Sequence, residues 1–273
     1  MKKVSFNTFA VGITILLFLA CGSDSEAPTP SLSSSSEILE FTVLGASGII
    51  NRMTNEISAI VSENSDITAL APEIMVSPGA TISPASGSTQ DFTEPITYTV
   101  IAEDGSTEIF TISVATEIFP FTIDGKRYEL VRIEMFWPDA AAFAVARGGH
   151  LAEVNSAMEQ VMINAALGDA NIVLSTLSSV SEVWLGGSDI NEEGTWIWDG
   201  DNDGIGPQFW SGGADGMAVD DLYNNWGNIE PDGEEVQNAL TILLANSPFN
   251  GASQWNDRAE EFQTLFSVIE FED

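Results

Sequence analysis

All seven tryptophans of this chain fall between Trp137 and Trp255, and beyond Trp184 the sequence is rich in Gly, Asp and Asn for about sixty residues. An irregular tract of that length inside a compact domain is usually functional, a region of binding loops. Tryptophans are more often core than ligand platforms, and Trp184 and Trp226 read as core; Trp210, in a Gly-rich loop, is the one expected at a surface contact. The uneven distribution also divides the chain. Its 273 residues suffice for two ordinary domains, each able to bury a core of its own.

The amino end reads as a leader. Lys2-Lys3 is a positive n-region, and Thr8 to Leu19 is an apolar stretch too short to span a membrane. Cys21, the only cysteine, follows at once, so no intramolecular disulfide can form. A buried core thiol does not explain a cysteine in that place. Phe18-Leu19-Ala20-Cys21 resembles the bacterial lipoprotein box, which implies a signal peptide over residues 1–20 and acylation of Cys21. Gly22 to Glu26 resembles the acidic tag that sends some lipoproteins to the cell surface. The expected location is therefore a bacterial outer membrane, with the chain lipid-anchored and surface-exposed. Residues 21–37 form a Ser/Pro-rich tether reaching roughly 20 Å.

From Ile38 the pattern is one of short strands separated by turn residues. Ile96, Tyr98, Val100 and Ala102 alternate with more polar residues. Glu103-Asp104-Gly105-Ser106 supplies a hairpin turn, and Phe110, Ile112 and Val114 alternate again. Runs at Phe41-Val43, Ile57-Val61 and Ile74-Val76 fit the same reading. Residues 38–117 are expected to form an all-β sandwich, a spacer similar to the immunoglobulin-like or cadherin-like domains of bacterial surface lipoproteins.

Farther on, Trp137-Pro138 opens an alanine-rich helix ending at Gly148-Gly149. Ser156-x-x-Glu159 is a capping box, followed by Met158, Val161, Met162 and Ala165 at helical spacing, with Gly168 as a stop. Then a series of motifs appears in order: Gly148-Gly149-His150-Leu151-Ala152, Trp184-Leu185-Gly186-Gly187, Glu193-Gly194-Thr195-Trp196-Ile197-Trp198, Glu230-Pro231-Asp232, Trp255-Asn256-Asp257 and Phe266 to Phe271. Over residues 121–273 this series resembles the C-type lectin-like family. The resemblance implies an α+β fold with two helices, mixed antiparallel sheets and a long loop region, its closing strand pairing beside the strand around Tyr128 to Val131.

It also implies a Ca²⁺ site. A hard cation takes six to eight oxygen ligands; Glu230, Asp232, Asn256 and Asp257 match the family's ligands, around a proline that in the family follows a cis peptide. A further carboxylate normally stands six residues after the triplet, where this chain has Asn238. On a shortened loop the replacements are Glu234 or Glu235, or the amides of Gln237 or Asn238, and Glu235 is carried as the candidate. Asp189 and Glu193 fit an auxiliary calcium site, although Gly233 stands where its next ligand would follow Asp232. Asp199-Gly200-Asp201-Asn202-Asp203-Gly204 reads either as another calcium loop or as an acidic hairpin tip, since its twelfth position is Trp210 rather than glutamate. For sugar, the resemblance places Glu230, Asp232 and Asn256 at the ligand. Sugar-binding members pair a carboxylate with an amide across the proline; here both flanking groups are acceptors, and Asn256 is the remaining donor.

Several classes are set aside. A net charge of −33 repels nucleic acid. One histidine and one acylated cysteine cannot make a zinc site, and His150, lacking a nucleophile, reads as structural. Catalysis is not expected. The reading is a cell-surface lipoprotein whose lectin-like domain binds a glycan through Ca²⁺. The alternative is an adhesive or scaffolding domain of the same fold that recognises protein or another surface, with calcium structural or absent.

Overall fold

The computed structural model describes residues 31–170, 181–233 and 236–272. The expected signal peptide, Cys21, and Glu234 and Glu235 lie outside the described residues.

Eight strands form in the first part: β1 (Ile38–Val43), β2 (Ala46–Ser47), β3 (Ile49–Asn51), β4 (Glu56–Val61), β5 (Glu73–Val76), β6 (Thr81–Ser83), β7 (Ile96–Ile101) and β8 (Thr107–Thr116). They make a three-stranded sheet in the order β2-β1-β5 and a five-stranded sheet in the order β3-β4-β8-β7-β6. Alternation decides which side chains meet. Ile38, Phe41 and Val43 of β1 share one core with Tyr98 and Val100 of β7 and with Phe110, Ile112 and Val114 of β8. The hairpin at residues 103–106 is present, with β7 and β8 in antiparallel register from Ile96↔Ile112 to Ile101↔Thr107. The sequence does not show that β4 and β8 pair in parallel, from Glu56↔Thr111 to Val61↔Thr116. Nothing local encodes a partner fifty-odd residues away.

The second part is mixed α/β. Its elements are β9 (Ile118–Ile123), β10 (Lys126–Met135), α1 (Trp137–Ala146), β11 (His150–Leu151), α2 (Ala157–Asp169), β12 (Glu182–Ser188), β13 (Thr195–Trp198), β14 (Gln208–Ser211), β15 (Met217–Ala218), β16 (Ala239–Leu243), β17 (Trp255–Arg258) and β18 (Leu265–Glu270). Among the described residues they form a ten-stranded sheet whose main path is β15-β14-β13-β12-β18-β10-β9. The closing strand pairs as expected, Tyr128↔Glu270 through Val131↔Ser267. β12 runs parallel to β18.

Close backbone packing explains the glycine motifs. A Cβ on Gly186 would stand 2.5 Å from the Leu151 carbonyl oxygen, and one on Gly200 would stand 2.2 Å from the same atom. Leu151 N–H donates to Gly200 O at 2.8 Å, and Gly186 N–H to Ala152 O at 2.8 Å. Two indoles fasten α1 and β12 to their surroundings: Trp137 Nε1 donates to Leu185 O at 2.8 Å, and Trp184 Nε1 to Met135 O at 2.9 Å.

Helix α2 departs from the sequence reading. Ser156 caps it, its Oγ accepting from Glu159 N–H at 3.1 Å, but the Glu159 carboxylate takes the Asn155 N–H and the Tyr128 hydroxyl instead of closing the box. Met158, Val161, Met162 and Ala165 face outward. The buried face is Gln160, Ile163, Ala166 and Leu167, and the helix continues through Gly168 to Asp169. The reason is Gln160. Its Oε1 accepts the Trp255 indole N–H at 2.7 Å and its Nε2 donates to Ser253 O at 3.3 Å, so a polar residue is drawn inward and turns the helix with it. Ile163→Ala should cost about 2–5 kcal/mol, whereas Met158→Ala should stay within about 0.5 kcal/mol of the parent. Urea denaturation of the two variants distinguishes this helix face from the one the apolar spacing indicates.

Candidate metal centre

A loop and a strand that are distant in sequence are brought together by aromatic packing and a short ladder. Trp226 forms a parallel bridge with Trp255, and Gly227 N–H donates to Trp255 O at 2.9 Å. That fixes the segment leading to Glu230 against β17, whose next residues are Asn256 and Asp257. From the other side β17 is held by β16 in the register Leu240↔Asp257 and Thr241↔Asn256. Behind it Arg258 makes a bidentate pair with Glu182 (2.7 and 2.8 Å), and Thr241 Oγ1 donates to the same carboxylate at 2.9 Å.

Carboxylate oxygens of Glu230, Asp232 and Asp257 consequently lie within 4.8 Å of one another. The Glu230–Pro231 peptide is cis. Asp257 is buried and accepts Asp232 N–H at 3.3 Å and Gly233 N–H at 2.9 Å; Asp232 itself is exposed. Glu230 is buried, with Oε1 accepting from Asn250 Nδ2 while Oε2 has no hydrogen-bond partner. Burial, then the charges of Asp232 and Asp257, pushes the Glu230 carboxyl up to about 7, and burial raises Asp257 as well.

The other candidates divide. Asn256 is buried beside the cluster, and one of its two amide hydrogens is donated to Asp257 O at 3.0 Å. Asp189 stands apart from the three-carboxylate group but feels Asp257: burial first, then Glu193 and Asp257, lift it to about 7. One of its oxygens takes the Gly194 N–H at 2.9 Å, and the other is buried without a partner. Glu193 is exposed. Glu235 lies outside the described residues, and Asn238 directs its amide at Glu260 (3.4 Å). Gly233 is closed to any larger residue, since a Cβ there would fall 2.1 Å from Gln237 Cβ.

Trp210 corrects an expectation. It is 9% exposed, packs 6.4 Å from Trp226 and donates its indole N–H to Gly213 O, so it belongs to the core. All seven tryptophans are buried, which leaves no indole as an exposed platform. Asn250 was invisible in the sequence. It orients Glu230 with its amide nitrogen and accepts Asn228 N–H at 3.0 Å with its oxygen, yet an asparagine in a turn carries no local mark of that role.

The donor set suits a hard divalent cation. It is all oxygen, it converges, and one of its buried carboxylate oxygens, Glu230 Oε2, has no protein donor to satisfy it; the same holds for Oδ1 of Asp189, outside the group.

The family described as SGBP, N-terminal, matches residues 38–114. Comparison with curated proteins gives no match. Solved structures similar to this chain include the mouse scavenger receptor C-type lectin carbohydrate-recognition domain, at 22% identity over 56% of this chain and 95% of that one, with a TM-score of 0.37. The cow C-type carbohydrate-recognition domain of CD23, in the presence of a GlcNAc2Man3 oligosaccharide, is 19% identical over 56% and 93%, with a TM-score of 0.39. Herring type II antifreeze protein is 18% identical over 55% and 94%, with a TM-score of 0.37.

Raised carboxyl pKa values give the metal-free fold a defined pH dependence. A carboxyl raised in the fold contributes stability that is complete below its unfolded value and lost as pH climbs through the folded one. For Glu230 the window runs from 4.5 to about 7, and Asp189 acts in the same direction from 3.8 to about 7. Thermal melts of metal-free protein should therefore show the melting temperature falling across this range, with a shallower fall for Glu230→Gln. Calcium should raise the melt more at pH 7 than at pH 5.

Proposed function

We propose that residues 121–273 are a C-type lectin-like domain that binds Ca²⁺ through Glu230, Asp232, Asn256 and Asp257 and, through that ion, a carbohydrate. Residues 38–117 serve as an immunoglobulin-like β-sandwich spacer. Lipid on Cys21 holds the chain on a bacterial outer membrane, facing outward. The observation that carries the reading is the convergence of Glu230 and Asp232 from a loop with Asp257 from β17, with one buried glutamate oxygen left unpartnered. The ordered motifs along residues 136–271 support it, as do the short glycine contacts that join them.

Bound Ca²⁺ would supply coordination for paired sugar hydroxyls. The protein's share is orientation: Asn250 aims Glu230, the Asp232 and Gly233 amides aim Asp257, and exposed Asp232 presents an acceptor outward. An adhesive domain that keeps calcium but binds no sugar is favoured by one observation. Glu230 and Asp232 are both acceptors, and one of the two Asn256 amide hydrogens is donated to backbone.

A glycan array with and without calcium separates the two readings, run with the parent and with Asp232→Asn, which supplies a donor beside the proline. On the sugar-binding reading, signals depend on calcium, and the variant holds mannose-like ligands at least as well as the parent. One restored hydrogen bond is worth about 0.5–1.5 kcal/mol, a few-fold to roughly tenfold in affinity. If no monosaccharide binds to either protein while both still bind calcium, the adhesive reading stands in its place. For the anchor, Cys21→Ser should yield an unacylated, unprocessed precursor; acyl labelling that persists in the variant would exclude Cys21 as its site.

A further inference from the structure

A second acidic group, sharing no residue with the first, sits in the connection between β13 and β14. Asp199, Asp201 and Asp203 alternate with Gly200 and Asn202 and end at Gly204. Carboxylates at the first, third and fifth positions with glycine at the sixth are the first half of a calcium-binding loop. The backbone takes the sharp turn that such a loop requires: Asn202 and Gly204 both have left-handed φ, at 58° and 80°. One oxygen from each carboxylate lies within 4.8 Å of the others. Two ligands on opposite sides of one Ca²⁺ are about 4.8 Å apart, twice a bond of about 2.4 Å, so a single ion can be reached by all three.

Acidic residues clustered on a turn need no ion, and the deciding atom is Asp199 Oδ2. Asp199 is 1% exposed; its Oδ1 accepts Gly204 N–H at 2.9 Å, while Oδ2 is enclosed and has no partner. Burial, with Asp201 and Asp203 as neighbours, disfavours the charged form of Asp199, and a cation would reverse that. No described lysine or arginine is available. Arg52, Lys126, Arg127, Arg147 and Arg258 pair with glutamates, and Arg132 holds the carbonyls of Thr116 and Ala170. Asp201 and Asp203 are exposed, leaving room for water in the remaining positions.

We propose that the loop from Asp199 to Gly204 binds a second divalent cation, calcium by its oxygen chemistry, with Asp199, Asp201 and Asp203 as its carboxylate ligands. Trp210 stands at the twelfth position and is packed in the core, so no second-half glutamate contributes. Affinity should therefore lie at the weak end for such loops, about 10⁻⁴–10⁻³ M. The ion would tie together β13 and β14, which carry Trp196, Trp198, Phe209 and Trp210.

The test is calcium titration calorimetry on the metal-free full chain, with near-ultraviolet circular dichroism to confirm that each variant is folded. Asp201→Asn with Asp203→Asn changes only exposed side chains and should remove one bound ion relative to the parent. Glu230→Gln with Asp257→Asn should leave an ion that this loop holds. Unchanged stoichiometry and affinity in the Asp201/Asp203 variant would overturn the proposal, and so would complete loss of binding in a folded Glu230/Asp257 variant. If the latter variant does not fold, the comparison of parent with the Asp201/Asp203 variant decides alone. A parent that binds a single ion, lost only through Asp201 and Asp203, would support this loop while removing the site at Glu230.

Discussion

Between Ser188 and Ala239 the backbone forms few regular ladders, and what holds it is contact between aromatic rings. Trp198 stacks on Phe209 at 4.3 Å, Trp196 meets Trp226 edge-on at 4.9 Å, and Trp255 lies edge-on to Trp198, Phe209, Tyr223 and Trp226. Such pairs contribute about 0.5–1.5 kcal/mol each beyond area burial. Trp255 is the hub. It bridges to Trp226, binds Gln160 of α2 through its indole N–H, and directly precedes Asn256 and Asp257. Packing that replaces secondary structure thus also places the carboxylates of Glu230, Asp232 and Asp257. A loop region fixed in this way can carry many polar residues without losing its shape.

Charge distribution follows a related economy. Among the described residues five carboxylates pair with protein bases, and three of the five are buried. Glu182, Glu129 and Glu270 are each at most 5% exposed at the side chain and are held by Arg258, by Arg127 and Arg147, and by Lys126 respectively. Removing one partner of such a pair leaves a buried charge, which is why the few bases stand where they do. Neither the Glu230, Asp232 and Asp257 group nor the Asp199, Asp201 and Asp203 group has an ion pair of this kind among the described residues, although the charge of Arg258 reaches Glu230 and Asp257.

Much of this was legible in the sequence, for reasons that can be named. Alternation at Tyr98, Val100, Phe110 and Ile112 marks strands because side chains on a strand point to opposite faces. Pro138 near the start of α1 and Ser156 ahead of α2 mark helix starts, since the first turn of a helix leaves donors unpaired. The motifs around Gly186 and Trp184 were readable because close backbone approach tolerates one residue type. What failed was each feature decided at long range. Met158, Val161 and Met162 have helical spacing but no core to face, because Gln160 is committed to an indole ninety-five residues away. Trp210 looked free in a Gly-rich loop and was drawn into the aromatic cluster. Asn250 acquires its role only when its turn folds against Glu230.

The contact between Gly233 and Gln237 has a consequence for how such a site can change over generations. A larger residue at 233 would collide with a neighbour only four positions away, at 2.1 Å from its Cβ. Placing a further carboxylate after Asp232 is therefore not reachable by one substitution with the loop kept as it stands. Only glycine at 237 would remove that Cβ, and that step brings no ligand of its own. The two positions form an epistatic pair, and descendants of this chain would keep glycine at 233 until a change to glycine at 237 opened the way.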